Sequence, residues 1–210
     1  MRILILAHGD APSEELFRSF HRSCDLFIAA DGGANTALGL GIVPDIITGD
    51  MDSFNVQKDL QSLVIHDPDQ ETNDLEKALS LAKKNNARRV DILGATGKRL
   101  DHSLKNLSVL LRFNPFFEHL TFYDDAFSTR IIPKDFNATL PVGHTVSLFP
   151  LSGRVSGITT HGLTFPLKNE HLENGVRDGT SNEVSEPSIR ITHESGALVF
   201  MTRLTTKDFE

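Results

Sequence analysis

Tryptophan is absent from this chain, and cysteine occurs once, at Cys24. A lone cysteine excludes an internal disulfide and a cysteine-built zinc site, and its place just before the apolar run "DLFIAAD" suits a small buried thiol. No apolar stretch approaches the roughly 18 residues of a membrane span, so no membrane partner is expected. The opening "MRILILAHGD" holds too few apolar residues for the core of a signal peptide, and the expectation is a cytoplasmic protein. Basic residues are in the minority: 21 Lys and Arg stand against 28 Asp and Glu, a net charge of -7. Nucleic-acid affinity rests mostly on cationic side chains that neutralise phosphates, so no nucleic-acid partner is expected either. A polyanionic ligand would need a metal to help hold it. The motifs G-x-x-x-x-G-K-S/T and G-x-S-x-G are both missing, which excludes a P-loop. The nine histidines lack metal-ligand spacing, which leaves His8, His66 and His102 as polar residues at element ends.

What the chain does have is an ordinary globular composition, 39% hydrophobic and 23% charged. Unbroken apolar runs at 2–7, 26–30, 45–48, 63–66, 89–94 and 120–123 have the length of strands covered on both faces. Between them, 73–86 places Leu75, Ala78, Leu79 and Ala82 on one helical stripe with Lys and Glu opposite, and 100–113 carries a wide apolar face through Leu104, Leu107, Val109, Leu110 and Leu111. Strands alternating with helices imply a mostly parallel sheet covered on both sides. After about residue 125 the runs become short, β-branched and separated by Pro, Gly, Asn and Asp, which predicts an antiparallel β-sandwich. The fold class expected is therefore an α/β sandwich domain over 1–125 followed by a β-sandwich domain over 133–210. Residues 168–186 are expected to form a long loop.

Ligands of open parallel sheets lie beyond the carboxyl ends of the strands. The turns expected there are "AHGD" with Gly9, "DGGAN" with Asp31, Gly32, Gly33 and Asn35, "GDMDS", "DPDQETND" and "GATGKRLDH". Glycine permits close backbone approach, and backbone N–H groups hold phosphate oxygens. Turn chemistry alone explains any one of these. Five acidic or glycine-rich turns on one edge point instead to a phosphate site, with Lys98 and Arg99 as cationic partners. Asp50 and Asp52, two positions apart after Gly49, suit a hard divalent cation such as Mg²⁺, which takes one or two carboxylates and leaves other positions to water and phosphate. A solvated turn with Asp50 as a helix cap is the other reading. Asp74 and Asp101 are equally readable as acids at helix starts. Convergence of Asp50, Asp52, Asp74 and Asp101 in one volume is the observation that separates the two.

The ordered set "ADGGAN" (30–35), "GDMDS" (49–53), "DQETND" (69–74), "GATGKRLDHSLKN" (94–106) and "GTSNE" (179–183) resembles the thiamine pyrophosphokinase family, over nearly the whole chain. The resemblance implies an ATP- and metal-binding α/β domain followed by a thiamine-binding β-sandwich. It implies transfer of the diphosphate of ATP to the hydroxyethyl oxygen of thiamine, with AMP released, in a homodimer whose sites combine two subunits. On the matching positions it implies Mg²⁺ on Asp50, Asp52 and Asp74, with Asp101 near the diphosphate as a further catalytic acid. It also implies ATP contacts at the "DGGAN" turn and Arg99, and thiamine contacts at Gln70, Ser181 and Asn182. Some family members set a Trp against the thiamine ring, and this chain has none, so the sequence names no stacking partner. Diphosphoryl transfer asks mainly for positioning and charge neutralisation, and an acidic site suits cationic thiamine. Two other readings stand beside this one. One is a Mg²⁺-dependent phosphatase with Asp50 as nucleophile, and the other is a non-catalytic sensor of nucleotide or thiamine diphosphate.

Overall fold

A computed structural model describes residues 1–54 and 60–204, and the chain divides into two compact units, Met1–Asp125 and Ala126–Leu204. Residues 205–210, expected in the second domain, lie outside the described residues. Among those described, no helix is long and apolar enough to cross a membrane.

The first unit alternates strands β1 (Arg2–Leu6), β2 (Leu26–Ala30), β3 (Ile46–Gly49), β4 (Leu63–His66), β5 (Arg89–Leu93) and β6 (His119–Tyr123) with helices α1 (Glu14–Ser23), α2 (Gly33–Gly39), α3 (Asp74–Lys84) and α4 (Leu100–Phe113). The strands lie in the order β6-β5-β1-β2-β3-β4, and every pairing is parallel. Ile3, Ile5, Ile28, Ile47 and Ile92 are fully buried, as expected where helices cover both faces and each such side chain contributes about 1.5–3 kcal/mol.

Helix starts follow from local chemistry. Ser13 Oγ accepts the Leu16 N–H at 3.3 Å, with Glu14 and Glu15 in the first turn. Asn73 and Glu76 close a reciprocal capping box on α3. Two helix faces differ from expectation. Glu76 and Lys77 of α3 are 2% and 5% exposed, because polar partners on neighbouring segments receive them. On α4, Leu104 and Leu111 stand partly in solvent, and the buried positions are Asn106, Val109, Leu110 and Phe113.

The second unit holds β7 (Phe127–Ile131), β8 (Asp135–Thr139), β9 (Thr145–Pro150), β10 (Arg154–His161), β11 (Glu170–Glu173), β12 (Gly179–Glu183), β13 (Ser188–Thr192) and β14 (Leu198–Arg203). Its strands form two antiparallel sets, β12-β9-β14-β7 and β11-β10-β13-β8. Val146, Leu148 and Phe200 of the first set share one buried core with Phe136, Ile158 and Ile191 of the second. The stretch expected as a long loop contains β11 and β12. Each has a single buried side chain, Leu172 and Asn182, too little apolar alternation to announce a strand.

Candidate active site

The carboxyl ends of β1 to β5 open into one cleft of about 620 Å³ within the first unit. His8 and Gly9 enter it from β1, Asp31 from β2, and Asp50, Asp52 and Ser53 from β3. The turn after β4 brings Gln70 to Asn73, α3 brings Asp74 and Lys77, and the β5 exit with α4 brings Gly97 to Arg99, Lys105 and Asn106.

Among the described residues one acidic focus stands out. Asp31, Asp50 and Asp74 each present a carboxylate oxygen such that the three lie within 4.8 Å of one another. Gly49 makes this approach possible. A Cβ there would lie 2.8 Å from Asp31 Cβ and 3.0 Å from Asp74 Oδ1, at a φ of +155°. Asp31 is 2% exposed, and its Oδ1 is buried without a hydrogen-bond partner. Burial raises its pKa; the Gly32 N–H and Ser53 oppose that, and Asp52 and Asp50 add to it. Asp74 is likewise pushed up, first by burial and then by Asp31 and Asp50, with Lys77 pulling the other way. Asp50 moves in the opposite direction, because Gln70 Nε2 donates to its Oδ2 at 3.1 Å. Its Oδ1 accepts the Asp52 N–H at 3.3 Å, so the turn is an Asx turn and not a helix cap.

The expected convergence of Asp50, Asp52, Asp74 and Asp101 is not found, and three acids meet instead. Asp50 and Asp74 come together with Asp31, which the sequence reading had given to ATP. Asp52 lines the cleft and accepts from Ser53 Oγ at 2.8 Å. Asp101 is exposed and paired with Arg99, whose Nε donates to Oδ1 at 3.1 Å. That guanidinium holds the Asp101 carboxyl down at about 2.

The β5 exit and α4 supply the cations Lys98, Arg99 and Lys105 to the cleft. Lys98 has a φ of +50°, and its N–H donates to Asp10 Oδ1 at 3.2 Å. The Gly9 N–H donates to Gly94 O at 2.7 Å and the Asp10 N–H to Thr96 O at 2.8 Å, zipping the β1 exit to the β5 exit. Gly32, Gly33 and Asn35 are not among the cleft-lining residues. Gly32 lies against the His8 ring, Gly33 against Leu6 O, and Asn35 Nδ2 donates to Ser53 O at 2.7 Å.

Ser181 and Asn182 sit on β12 of the second unit. Ser181 is exposed, with a φ of +58°. Asn182 is buried and occupied within its own unit: Oδ1 accepts the N–H groups of Phe165 and Glu183 at 3.1 and 2.8 Å, and Nδ2 donates to Phe165 O at 2.8 Å.

Lys77 escaped the sequence reading. Its Nζ donates to Asp67 O at 2.8 Å and lies 3.6 Å from Asp74 Oδ1. The usable signal was its spacing, since i and i+3 share a helix face with Asp74.

Comparison with known proteins gives the same family along both units. Residues 17–122 match the family model "Thiamin pyrophosphokinase, catalytic domain", and residues 128–198 match "Thiamin pyrophosphokinase, vitamin B1 binding domain". The chain is 30% identical over 202 residues to thiamine pyrophosphokinase 1 of Oryza sativa subsp. japonica, covering 81% of this chain and 76% of that one. Among solved structures, the thiamine pyrophosphokinase of Bacillus subtilis superposes with a TM-score of 0.83 at 25% identity, covering 97% of this chain and 99% of that one. The Candida albicans protein has the same fold, with a TM-score of 0.82 at 18% identity, over 97% and 90% of the two chains.

Proposed function

The chain belongs to the thiamin pyrophosphokinase family, and on that premise we propose that the cleft of its first unit carries the family reaction with a divalent cation held by Asp31, Asp50 and Asp74. The activity is that of a thiamine diphosphokinase: ATP and thiamine give thiamine diphosphate and AMP. The observation that carries the site reading is the three-carboxylate focus with its unpartnered Asp31 Oδ1.

These residues fit a hard cation. All three donors are oxygens, Lys77 is the cation that offsets their mutual repulsion among the described residues, and Asp31 carries a buried carboxylate oxygen with no hydrogen-bond partner. Mg²⁺ is the ion expected, and when bound it neutralises and orients the diphosphate being transferred. The protein's own contribution is positional. Gln70 fixes the Asp50 carboxylate, the Asp10 contact fixes the Lys98 backbone, and Lys98 and Arg99 meet phosphate oxygens at the rim. Asp101 holds Arg99 until a phosphate competes for the guanidinium. In the transfer itself, the thiamine hydroxyl oxygen forms a bond to the β-phosphorus. The bond from that phosphorus to the α,β-bridging oxygen breaks, AMP leaves with the electron pair, and a carboxylate of the cluster takes the hydroxyl proton.

The first unit is thus read as the ATP and metal domain, with the expected bounds 1–125, and the second as the thiamine domain, expected over 133–210. Homodimers with shared sites and a cytoplasmic location, where ATP is supplied, belong to the same proposal. Incubation with ATP, Mg²⁺ and thiamine, with both products identified, tests it. Thiamine diphosphate with AMP is expected, whereas ADP or free phosphate would overturn the reaction.

A further inference from the structure

The acidic and cationic sides of the cleft come from different strand exits, and a chain of amides, buried at Asn106 and half-buried at Asn73, ties them together. Ala95 O can only accept, so Asn106 must turn Nδ2 toward it, and does so at 2.7 Å. Its Oδ1 is then left needing a donor, which Asn73 Nδ2 supplies at 2.8 Å. That in turn leaves Asn73 Oδ1 as an acceptor, and it takes the Glu76 N–H at 2.9 Å. Each amide has one orientation compatible with all its partners. Glu76, 2% exposed, closes the arrangement: Oε2 accepts the Asn73 N–H at 3.1 Å and lies 3.0 Å from Lys105 Nζ, while Oε1 accepts from Arg112 at 2.7 Å. One end of this relay immediately precedes Asp74 of the carboxylate focus. The other is the turn that leads through Gly97 to Lys98 and Arg99.

Capping alone does not require it. A serine at position 73 would serve the α3 N-cap as well as asparagine, but its hydroxyl is too short to serve the Glu76 N–H and reach Asn106 as well. Likewise α4 needs no amide in mid-helix, where asparagine is a poor helix former. Both residues are spent on joining two walls of the cleft.

We propose that Asn106, through Asn73 and Ala95, is the positioning residue that sets the Asp74 metal wall and the Lys98–Arg99 phosphate turn in one register. This deepens the functional reading above and rests on it. Outer partners of ligating groups that are buried and fully hydrogen-bonded alter metal affinity or activity by about 10–100-fold when removed.

The test compares Asn73→Ser and Asn106→Ala with the unmodified full chain. It measures melting temperature, Mg²⁺ affinity by calorimetric titration without substrate, and KM for ATP against kcat. Asn73→Ser should melt within a few degrees of the parent, because the cap is kept. Both variants should bind Mg²⁺ more weakly and raise the KM for ATP by about tenfold, and the double variant should be no worse than the worse single, since both cut one link. Unchanged Mg²⁺ affinity and KM, with only the melting temperature lowered, would overturn the proposal. If Asn106→Ala does not fold, Asn73→Ser decides alone. Failure of the unmodified chain to make thiamine diphosphate would refute the reaction instead, and the substrate-free Mg²⁺ titration would still judge the relay.

Discussion

Asp31 sits deepest of the three clustered acids, and its unpartnered Oδ1 makes it the side chain with most to gain from a cation. Asp31→Asn should lower turnover by about a hundredfold, the scale of removing one preorganised electrostatic contact. It should also shrink the rise in melting temperature on adding Mg²⁺. In metal-free protein the same change should not destabilise, because it removes one of three mutually repelling charges. A variant that keeps the full Mg²⁺-induced shift would refute the ligand assignment. The sequence made Asp50 and Asp74 visible, since turn motifs after apolar runs announce themselves. It did not separate Asp31 from Asp52, because depth below the strand end depends on how β2 and β3 pack. Lys77 was invisible for a related reason: it was counted on the solvated side of α3, yet an Asp67 carbonyl receives it. At the other end of the sheet Cys24 gives an independent residue-level check. Burial, then Asp45, pushes its thiol from 9.0 to about 11. The folded chain thus holds this proton more tightly than the unfolded chain, and between those values stability should fall as pH rises. Native protein should react with iodoacetamide far more slowly at pH 9 than urea-unfolded protein, and equal rates would contradict the burial account.

Elements were legible where the side-chain pattern is continuous and apolar, even in β4, which has no buried residue. β2, β4 and α4 run over the residues their apolar patterns predicted, and β1 and β5 end one residue early. β11 and β12 were not seen, because each buries one side chain and their pairing is made by backbone hydrogen bonds that side-chain pattern does not record. The exit of β3 is the element on which the acidic focus depends. Gly49→Ala should cost about 2 kcal/mol, the range for inserting a methyl into a packed position, since its Cβ would fall 2.8 Å from Asp31 Cβ and 3.0 Å from Asp74 Oδ1. The two acids would have to part, so Mg²⁺ affinity should fall together with stability. Urea denaturation with and without Mg²⁺ measures both, and a variant equal to the parent in the two conditions would show that the close approach is dispensable.

At the scale of the whole molecule, the change of pattern near residue 125 made the two-part architecture readable, because alternating strand and helix periods cannot be mistaken for a run of short turn-bounded strands. What one sequence leaves open is how many chains make a site. The carboxylate focus belongs to the first unit and Ser181 and Asn182 to the second. Asn182 spends its Oδ1 and one Nδ2 hydrogen on backbone partners. Ser181 is held on exposed backbone at a φ of +58°, with its N–H on Ser147 Oγ at 3.0 Å, so its hydroxyl is the group best placed to meet a ligand. If sites are shared between two copies, an Asp50→Asn chain and a Ser181→Ala chain should each be impaired alone and complement each other when mixed. The mixed dimer carries one site with both defects and one with neither. Random exchange makes about half of all dimers mixed in a two-fold assembly, so activity should recover to about a quarter of the parental value per site. Mass measurement establishes that exchange has occurred. Activity that then stays at the level of the separate variants would mean that each chain builds its site alone.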